Sequence, residues 1–257
     1  MRSPFRPASL PDPAILGDQK PLLRDLKRRK LLRGGLSLGA LSLLTGCDVK
    51  RPDSVQDALL SISRLNDGVQ AWLFDPTRLA PTYSPSQVLV PPKFNAYYDV
   101  DKVKPVDASR WTLEVSGLVT ERKSWTLAEL AALPRTEMII KHICIEGWDY
   151  IGDWSGVRLS SFLELIGADR KARYVAFKTA DDYPSSIDMA TALHPQTILA
   201  MDYAGSTITD PFGFPLRLRM STKLGYKNPK WITAIEVTNI YPGGYWENQG
   251  FPWFAGL

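Results

Sequence analysis

The 257-residue sequence predicts a domain of the α+β class built on a mixed sheet. Short segments with the alternating apolar pattern of strands are interspersed with two or three helical segments, and this mixture is typical of the class. The 44% hydrophobic content and the eight tryptophans indicate a folded core. No glycine-rich strand-to-helix turn of the kind that binds a nucleotide phosphate occurs in the sequence. We therefore expect no dinucleotide-binding unit.

The first half of the predicted body begins with the strand pattern WTLEVSG, which ends at Gly117. Thr126 and Glu129 form a capping box at the start of a short helix that stops at Pro134. The segment TEMIIKHIC predicts a buried strand with Cys144 at its end. An aromatic-rich loop is expected after Cys144.

The second half of the predicted body begins with an amphipathic helix over VRLSSFLELIG, with a stop at Gly167. A polar loop and a short helix are expected after the strand YVAFKT. The remaining predicted strands are TILAMDYAG, PLRLRM and WITAIEVTNI.

Residues 1–46 have the composition of an export signal. Paired arginines, Arg28 and Arg29, precede an uncharged run at 34–44, which is too short for a membrane-spanning helix of ~20 residues. Twin arginines indicate the route that exports folded proteins. Leu44-Thr45-Gly46-Cys47 resembles a lipobox, so we expect Cys47 to be lipidated and the protein to be periplasmic and anchored to the inner membrane.

The rest of the chain is divided into an arm and a body. Residues 47–92 are rich in Pro and Ser and predict an irregular tether or wrapping arm, and residues 93–257 form the domain. Residues 1–46 hold nine Lys/Arg and three Asp/Glu, so the remainder has 31 − 9 = 22 basic and 27 − 3 = 24 acidic residues. With a net charge of −2, the remainder lacks the basic excess that nucleic-acid binding requires.

Candidate reactive residues are few. With two histidines, His142 and His194, this chain alone does not build most zinc, non-haem iron or bis-histidine haem sites. Apart from Cys47 the chain has one cysteine, Cys144. From chemistry alone Cys144 has three interpretations: an inert core thiol, a nucleophile with His142 as its base, or a thiolate ligand for a soft metal.

The ordered blocks HICIEGWDYIGDWSGVRLSSFL, YVAFKTADDYPSSIDM, HPQTILAMDYAG and PLRLRMSTKLGYKNPKWITAI resemble the sulfite oxidase family of molybdopterin enzymes. The similarity covers about residues 90–242 and is greatest to the bacterial periplasmic protein-methionine-sulfoxide reductase branch. It implies a mixed-sheet domain of the sulfite oxidase type, a mononuclear molybdenum cofactor with one pterin, and two-electron oxygen-atom transfer.

The resemblance also implies site residues. It implies that Cys144 binds molybdenum and that the pterin and its phosphate are contacted by Asn95, Tyr98, Asp99, Thr179, Arg217, Asn228, Pro229 and Lys230. Arg and Lys are suited to a buried phosphate, and Asn and Thr to the polar atoms of a pterin.

Three further features bear on the predicted site. Phe212-Gly213 stands where the sulfoxide reductase branch usually has Asn-Gly. Glu146 and Trp148 are expected at the metal entrance, where Glu146 is either a proton shuttle or a capping group. The terminal segment YPGGYWENQGFPWFAGL is either a roof over the metal or a tail packed on the core.

The sequence therefore predicts an enzyme that reduces an S-oxide or N-oxide, small or protein-bound. A membrane haem protein is the expected electron donor, because the chain has no haem, flavin or iron–sulfur motif. Sulfite is disfavoured because no Arg lies between Cys144 and Arg158 to meet a dianion. The alternatives are a metal-free Cys144–His142 acyl transferase or hydrolase, and a binding lipoprotein without catalysis.

Overall fold

The computed structural model describes residues 53–257, with side chains from Ser61 onward. The predicted export signal and Cys47 lie outside the described residues. The helices are α1 Asp53–Leu73, α2 Leu127–Ala131, α3 Leu159–Leu165 and α4 Met189–Ala192. The strands are β1 Thr112–Gly117, β2 Ser124–Thr126, β3 Arg135–Ile143, β4 Asp149–Arg158, β5 Tyr174–Thr179, β6 Ser185–Asp188, β7 Thr197–Tyr203, β8 Ser206–Thr207, β9 Arg217–Met220 and β10 Ile232–Thr238.

The first sheet is mixed. Its five strands have the order β2-β1-β10-β5-β6. Strand β1 runs parallel to β10, and the other pairs are antiparallel. The predicted capping box at the start of α2 is confirmed, since Thr126 and Glu129 each accept a hydrogen bond from the other's backbone N–H.

The second sheet is antiparallel and carries the cysteine. Its strands have the order β3-β4-β7-β8, and β9 also pairs with β7, along Thr197 to Ala200, whereas β8 pairs with Asp202 and Tyr203. Strands β3 and β4 pair from Arg135–Val157 to Ile143–Asp149, which makes a long hairpin with Cys144 at its tip. The hairpin thus fixes the position of Cys144 relative to the rest of the sheet.

The main apolar core combines residues of β1, β5, β7, β9 and β10 with α3, and Leu113, Phe162 and Ile235 are fully buried in it. A second cluster lies around Trp154 and Ile140. These alternating inward-facing side chains confirm the predicted α+β class and the mixed sheet.

Two sequence predictions are wrong. Asp53–Leu73 is a helix, where we expected an irregular segment. Apolar residues recur there at helical spacing, at Ile62, Leu65, Val69 and Trp72, but the surrounding prolines outweighed this pattern in the prediction.

Residues 149–158 form strand β4, where we expected an aromatic loop. In this strand glycines alternate with aromatic residues on one face, so Tyr150 and Trp154 share the buried side with Gly152. The expected helix therefore begins at Leu159, and the polar loop after β5 contains the short strand β6. No helix among residues 53–257 has the length and apolar content needed to cross a bilayer.

Candidate active site

Cys144 lies in the turn between β3 and β4. Its N–H donates to the carbonyl of Trp148 at 2.9 Å, and its carbonyl accepts from the N–H of Gly147 at 3.2 Å. Gly147 has a φ of +87°, which a residue with a side chain rarely adopts. The turn directs the thiol into a cavity instead of into the core.

The cavity has a volume of about 900 Å³ and is built from distant chain segments. They are the stretch before β1, the Cys144 turn, the loop after β5, the loop between β9 and β10, and the C-terminal segment. The predicted site residues on its wall are Asn95, Tyr98, Asp99, Cys144, Glu146, Trp148, Asn228, Pro229 and Lys230. Of the predicted residues, Thr179 and Arg217 are not on the wall.

The thiol of Cys144 is the one free cysteine of the described chain and is 9% exposed. Burial raises the pKa of Cys144, and the nearby Glu146 carboxylate raises it further against the lowering effect of backbone hydrogen bonds. Such a thiol is protonated unless a metal ion displaces the proton. The surroundings therefore favour a metal ligand over a free nucleophile.

Glu146 and Trp148 form a pair beside the thiol. Glu146 Oε2 accepts from Trp148 Nε1 at 2.8 Å and lies 3.7 Å from Cys144 Sγ. The carboxylate is exposed on its other side, so it connects the thiol to solvent.

His142 is not placed to act as a base for Cys144. It is 2% exposed, and its Nδ1 lies 2.7 Å from Arg219 Nη1 and accepts its hydrogen. Burial, with Arg219 and Arg217 nearby, lowers the pKa of His142 and keeps it neutral. Because Arg219 occupies the basic nitrogen, the geometry gives no support to a Cys144–His142 thiol enzyme.

The loop between β9 and β10 brings an amide and a cation to the cavity. Asn228 Oδ1 accepts from Met220 N at 2.9 Å and from Arg219 Nη1 at 3.1 Å, which fixes its orientation. Lys230 Nζ donates to the carbonyl of Pro211 at 3.1 Å. Burial, then Arg217, lowers the pKa of Lys230 to about 6, and the Asp181 carboxylate offsets only part of this effect.

Thr179 acts behind the wall. Its Oγ1 accepts from Tyr183 N at 2.8 Å and holds the turn after β5. That turn presents Asp181, whose carboxylate accepts from Tyr98 OH at 3.1 Å and whose carbonyl accepts from Tyr97 OH at 2.7 Å. The sequence analysis missed Asp181, although it lies two residues after Thr179 within the block YVAFKTADDYPSSIDM.

Arg217 is also behind the wall. It is 1% exposed, and its Nη1 donates to the carbonyl of Phe212 at 2.7 Å. A Cβ on Gly213 would lie 3.1 Å from Cβ of Arg217 and 3.0 Å from Cβ of Lys230. Gly213 is thus required where the chain passes between these two cations, while Phe212 contributes its backbone.

The C-terminal segment has both expected roles. Trp246 and Phe251 are on the cavity wall, and Trp253 and Phe254 pack in a separate cluster with Tyr174. Further wall residues that the sequence analysis missed are Lys93, Phe94, Ala96, Tyr97, Val100, Ile145, Tyr183, Gly225 and Tyr226. Most of them flank predicted residues, and nothing else in the sequence distinguishes them.

These residues fit a phosphorylated cofactor with a soft metal. Cys144 supplies a sulfur ligand, and Asn228 and Tyr98 supply polar contacts along the wall. The buried basic side chains of Arg217 and Lys230 have no carboxylate in ion-pair contact among residues 61–257, and a bound anionic group would stabilise their charged forms.

Comparison with known proteins agrees with this chemistry. Residues 100–246 match the family described as the oxidoreductase molybdopterin binding domain. The chain is 58% identical over 229 residues to the putative protein-methionine-sulfoxide reductase subunit YedZ1 of Azospira oryzae, which spans 89% of this chain and 87% of that protein. It is 30% identical to the protein-methionine-sulfoxide reductase catalytic subunit MsrP of Xanthomonas axonopodis pv. citri, over 60% of this chain and 56% of that protein.

A solved structure extends the similarity to the fold. The sulfane dehydrogenase SoxCD from Paracoccus pantotrophus superimposes with a TM-score of 0.50 at 19% identity, over 53% of this chain and 40% of that one. At this identity the similarity is one of fold alone.

Proposed function

The chain belongs to the family of oxidoreductases with a molybdopterin-binding domain, and from this premise we propose that it reduces S-oxides, with methionine sulfoxide in proteins as its substrate class. The observation that carries the proposal is the one free thiol of the described residues, Cys144, at the wall of a cavity with Asn228 and Lys230.

The molybdenum cofactor, when bound, supplies two-electron oxygen-atom transfer. Cys144 would hold the metal, and Asn228, Tyr98 and Lys230 would hold the organic part of the cofactor. Arg217 would hold its phosphate from behind the wall. The protein thereby fixes the reacting atoms and surrounds them with aromatic side chains that restrict water.

The residues at the cavity mouth favour a sulfoxide over sulfite as the substrate. Trp148, Trp246 and Phe251 give it an apolar border that suits a thioether side chain. Sulfite, a dianion, requires cations at the reacting atom, and the cationic residues on the wall are Lys93 and Lys230. Lys93 Nζ lies over the Trp148 ring at 5.3 Å from its centroid, and Lys230 is assigned to the cofactor.

Reduction of a sulfoxide consumes protons, and in this proposal Glu146 delivers them. Its carboxylate is exposed to solvent on one side and lies 3.7 Å from Cys144 Sγ on the other. Trp148 Nε1 holds the carboxylate in this position. Glu146 is therefore the proposed general acid, and Trp148 is its positioning residue.

Electrons for each turnover come, in this proposal, from a membrane haem subunit. The relatives from Azospira and Xanthomonas are both named as subunits, which supports a partner. Export by the twin-arginine route and lipidation of Cys47 would bring the enzyme to the periplasmic face of the inner membrane. Fractionation of cells that express the wild type and Cys47→Ser tests this anchor, because the variant is expected in the soluble periplasmic fraction.

The substrate proposal is tested with the full chain purified from a molybdenum-replete host. A reduced viologen dye serves as donor, and methionine sulfoxide, dimethyl sulfoxide and trimethylamine N-oxide are the acceptors. We expect dye oxidation with the sulfoxides, fastest with methionine sulfoxide in an unfolded protein. Molybdenum-loaded protein that oxidises dye with none of the sulfoxides, or that oxidises sulfite faster than it reduces any sulfoxide, would contradict the proposal.

A further inference from the structure

Arg217 and Arg219 point to the same side of β9 and are among the most deeply buried charges of the described chain. They are 1% and 0% exposed. No carboxylate among residues 61–257 forms an ion pair with either guanidinium. Burial, then the neighbouring Arg219, lowers the pKa of Arg217 to about 9, which leaves it charged at neutral pH.

In each arginine Nη1 donates hydrogen bonds to the protein, whereas Nε and Nη2 do not. Nη1 of Arg217 donates to the Phe212 carbonyl, and Nη1 of Arg219 donates to His142 Nδ1 and Asn228 Oδ1. In both residues Nε and Nη2 are buried without a hydrogen-bond partner. Nε–H and Nη2–H form the side-on fork that binds two oxygens of an oxyanion.

The contacts that the two arginines do make fall short of the cost of burying them. Each guanidinium lies over the Trp154 ring, at 4.6 Å for Arg217 and 4.9 Å for Arg219 from the ring centroid. A cation–π contact recovers only a fraction of the free energy lost when a guanidinium leaves water. The unpartnered Tyr150 OH and Trp154 Nε1 lie in the same cluster and add two more unused donors.

We propose that Arg219 is a second binding residue, beside Arg217, of a site for a phosphate-class oxyanion. Nothing in the family resemblance had assigned Arg219. The chemistry is that of a phosphate ester or of inorganic phosphate, each of which offers several oxygens to a pair of forks. Only the source of the phosphate rests on the proposed function, since the cofactor carries one.

The position of the pair connects it to the cavity. Arg219 donates a hydrogen bond to Asn228, which is on the cavity wall. Gly213 lies between Arg217 and Lys230, and Lys230 is on the same wall. Arg219 also fixes His142 on the strand that ends at Cys144. An oxyanion held by both forks would therefore tie the β9–β10 loop to the metal-bearing hairpin.

The test uses the full chain purified from a host that cannot make molybdopterin. Its melting temperature is measured in inorganic phosphate and in chloride at equal ionic strength and pH. We expect phosphate to raise the melting temperature of the wild type and to leave that of Arg219→Met unchanged. Arg219→Lys keeps the charge but lacks the fork, so it should gain less than half of the wild-type shift. Exposed Arg170→Met is the matched control and should show the full shift.

The source of the phosphate is decided by repeating the titration with protein purified from a molybdopterin-replete host. If the cofactor's own phosphate fills the site, added phosphate no longer shifts the melting temperature of the loaded protein. If it still does, the site takes free phosphate beside the cofactor. Either result supports an oxyanion site.

The inference is overturned if phosphate fails to stabilise the cofactor-free wild type, or if Arg219→Met responds as the wild type does. Should Arg219→Met not fold, Arg219→Lys decides alone: a full shift in that variant would rule out the fork. A wild type that responds to phosphate but never contains molybdenum would contradict the proposed function and still support this oxyanion site.

Discussion

At the scale of single residues, the chemistry depends on a thiol that its surroundings keep protonated. Burial opposes ionisation of Cys144, and Glu146 opposes it further, so a bound cation is what converts the thiol into a ligand. The same neighbour, Glu146, faces solvent. In the proposed mechanism this one carboxylate has two roles, since it discourages a free thiolate and offers a route for protons.

Glu146→Gln tests the proton route. The amide oxygen still accepts from Trp148 Nε1, so the turn keeps its shape, but the side chain no longer transfers a proton. We expect sulfoxide reduction to fall by about 100-fold, a typical loss for a general acid, with molybdenum content unchanged. Steady-state rates over a pH series measure this, and exposed Glu121→Gln serves as control. Equal rates for wild type and Glu146→Gln would reduce Glu146 to a capping group.

Residue identity at the site was largely predictable where a motif carried it. Cys144, Asn228 and Lys230 line the cavity as expected. Arg219 could not be predicted, because a lone arginine in a strand is most often a surface ion pair, and only its burial and its free fork mark it. The position of Asp181 could not be predicted because it lies in a turn whose conformation depends on the hydrogen bond between Tyr183 N and Thr179 Oγ1.

At the scale of elements, helix α1 is attached to the C-terminal segment through one carboxylate. Asp67 Oδ2 accepts from Trp253 N at 3.0 Å, and Oδ1 accepts from Phe254 N at 2.9 Å. Gln70 adds a bond from Gly256 N at 2.9 Å. Since Trp246 and Phe251 border the cavity, the helix indirectly holds the roof of the site.

Asp67→Ala should therefore destabilise the fold. It leaves two buried backbone N–H groups without acceptors, at a cost of about 1–3 kcal/mol each. Urea denaturation of the cofactor-free chain measures the change in the free energy of unfolding, and we expect a loss of about 2–5 kcal/mol. Asn66→Ala, on the exposed side of the same helix, is expected to change it by less than about 0.5 kcal/mol. Equal stability of the two variants would mean that the helix does not hold the tail.

The turn before β9 offers a second element-scale test. Gly213 and Gly205 both have positive φ, at +108° and +74°, but a Cβ at Gly205 would meet nothing within 4 Å. Gly205→Ala thus isolates the backbone cost, about 1 kcal/mol. In Gly213→Ala the added Cβ also crowds Arg217 and Lys230, so we expect a larger loss of stability and a lower molybdenum content. Metal analysis of both variants checks this, and equal metal content would contradict it.

Elements were predicted well where one periodicity dominated. Strands β3, β5 and β10 have continuous or alternating apolar patterns and lie where the sequence indicated. Strand β4 was missed because glycines occupy two of its five buried positions, and Gly156 packs its backbone against Leu199 on β7. Close backbone approach in a sheet leaves no local signal that distinguishes it from a loop.

At the scale of the whole molecule, buried lysines set the pH dependence of the cofactor-free protein. Burial lowers the pKa of Lys223 to about 7 and that of Lys230 to about 6. Between these values and 10.5 the unfolded chain binds more protons than the folded one, so the free energy of unfolding rises with pH.

We therefore expect the cofactor-free protein to become more stable from about pH 7.5 to about pH 8.5, by up to about 1.4 kcal/mol per pH unit for each lysine. Urea denaturation over this range measures the slope. Lys223→Met removes one of the two contributions and should lower the slope by about half, whereas exposed Lys171→Met should leave it unchanged. A stability that falls with pH in this window would contradict the assignment.

The overall topology could not be predicted from local sequence patterns. The two sheets, the parallel β1–β10 pair and the assembly of one cavity from five separated segments depend on long-range contacts that no single stretch encodes. The family resemblance supplied the architecture in outline, and the composition of each block then located the site within it.

The most direct test of the central claim, that Cys144 is the protein's ligand to molybdenum, is X-ray absorption at the molybdenum edge on the wild type and on Cys144→Ser. We expect molybdenum bound in the wild type, with one more sulfur neighbour than in the variant, and sulfoxide reduction lost in the variant. Identical sulfur coordination in the two proteins would contradict the claim.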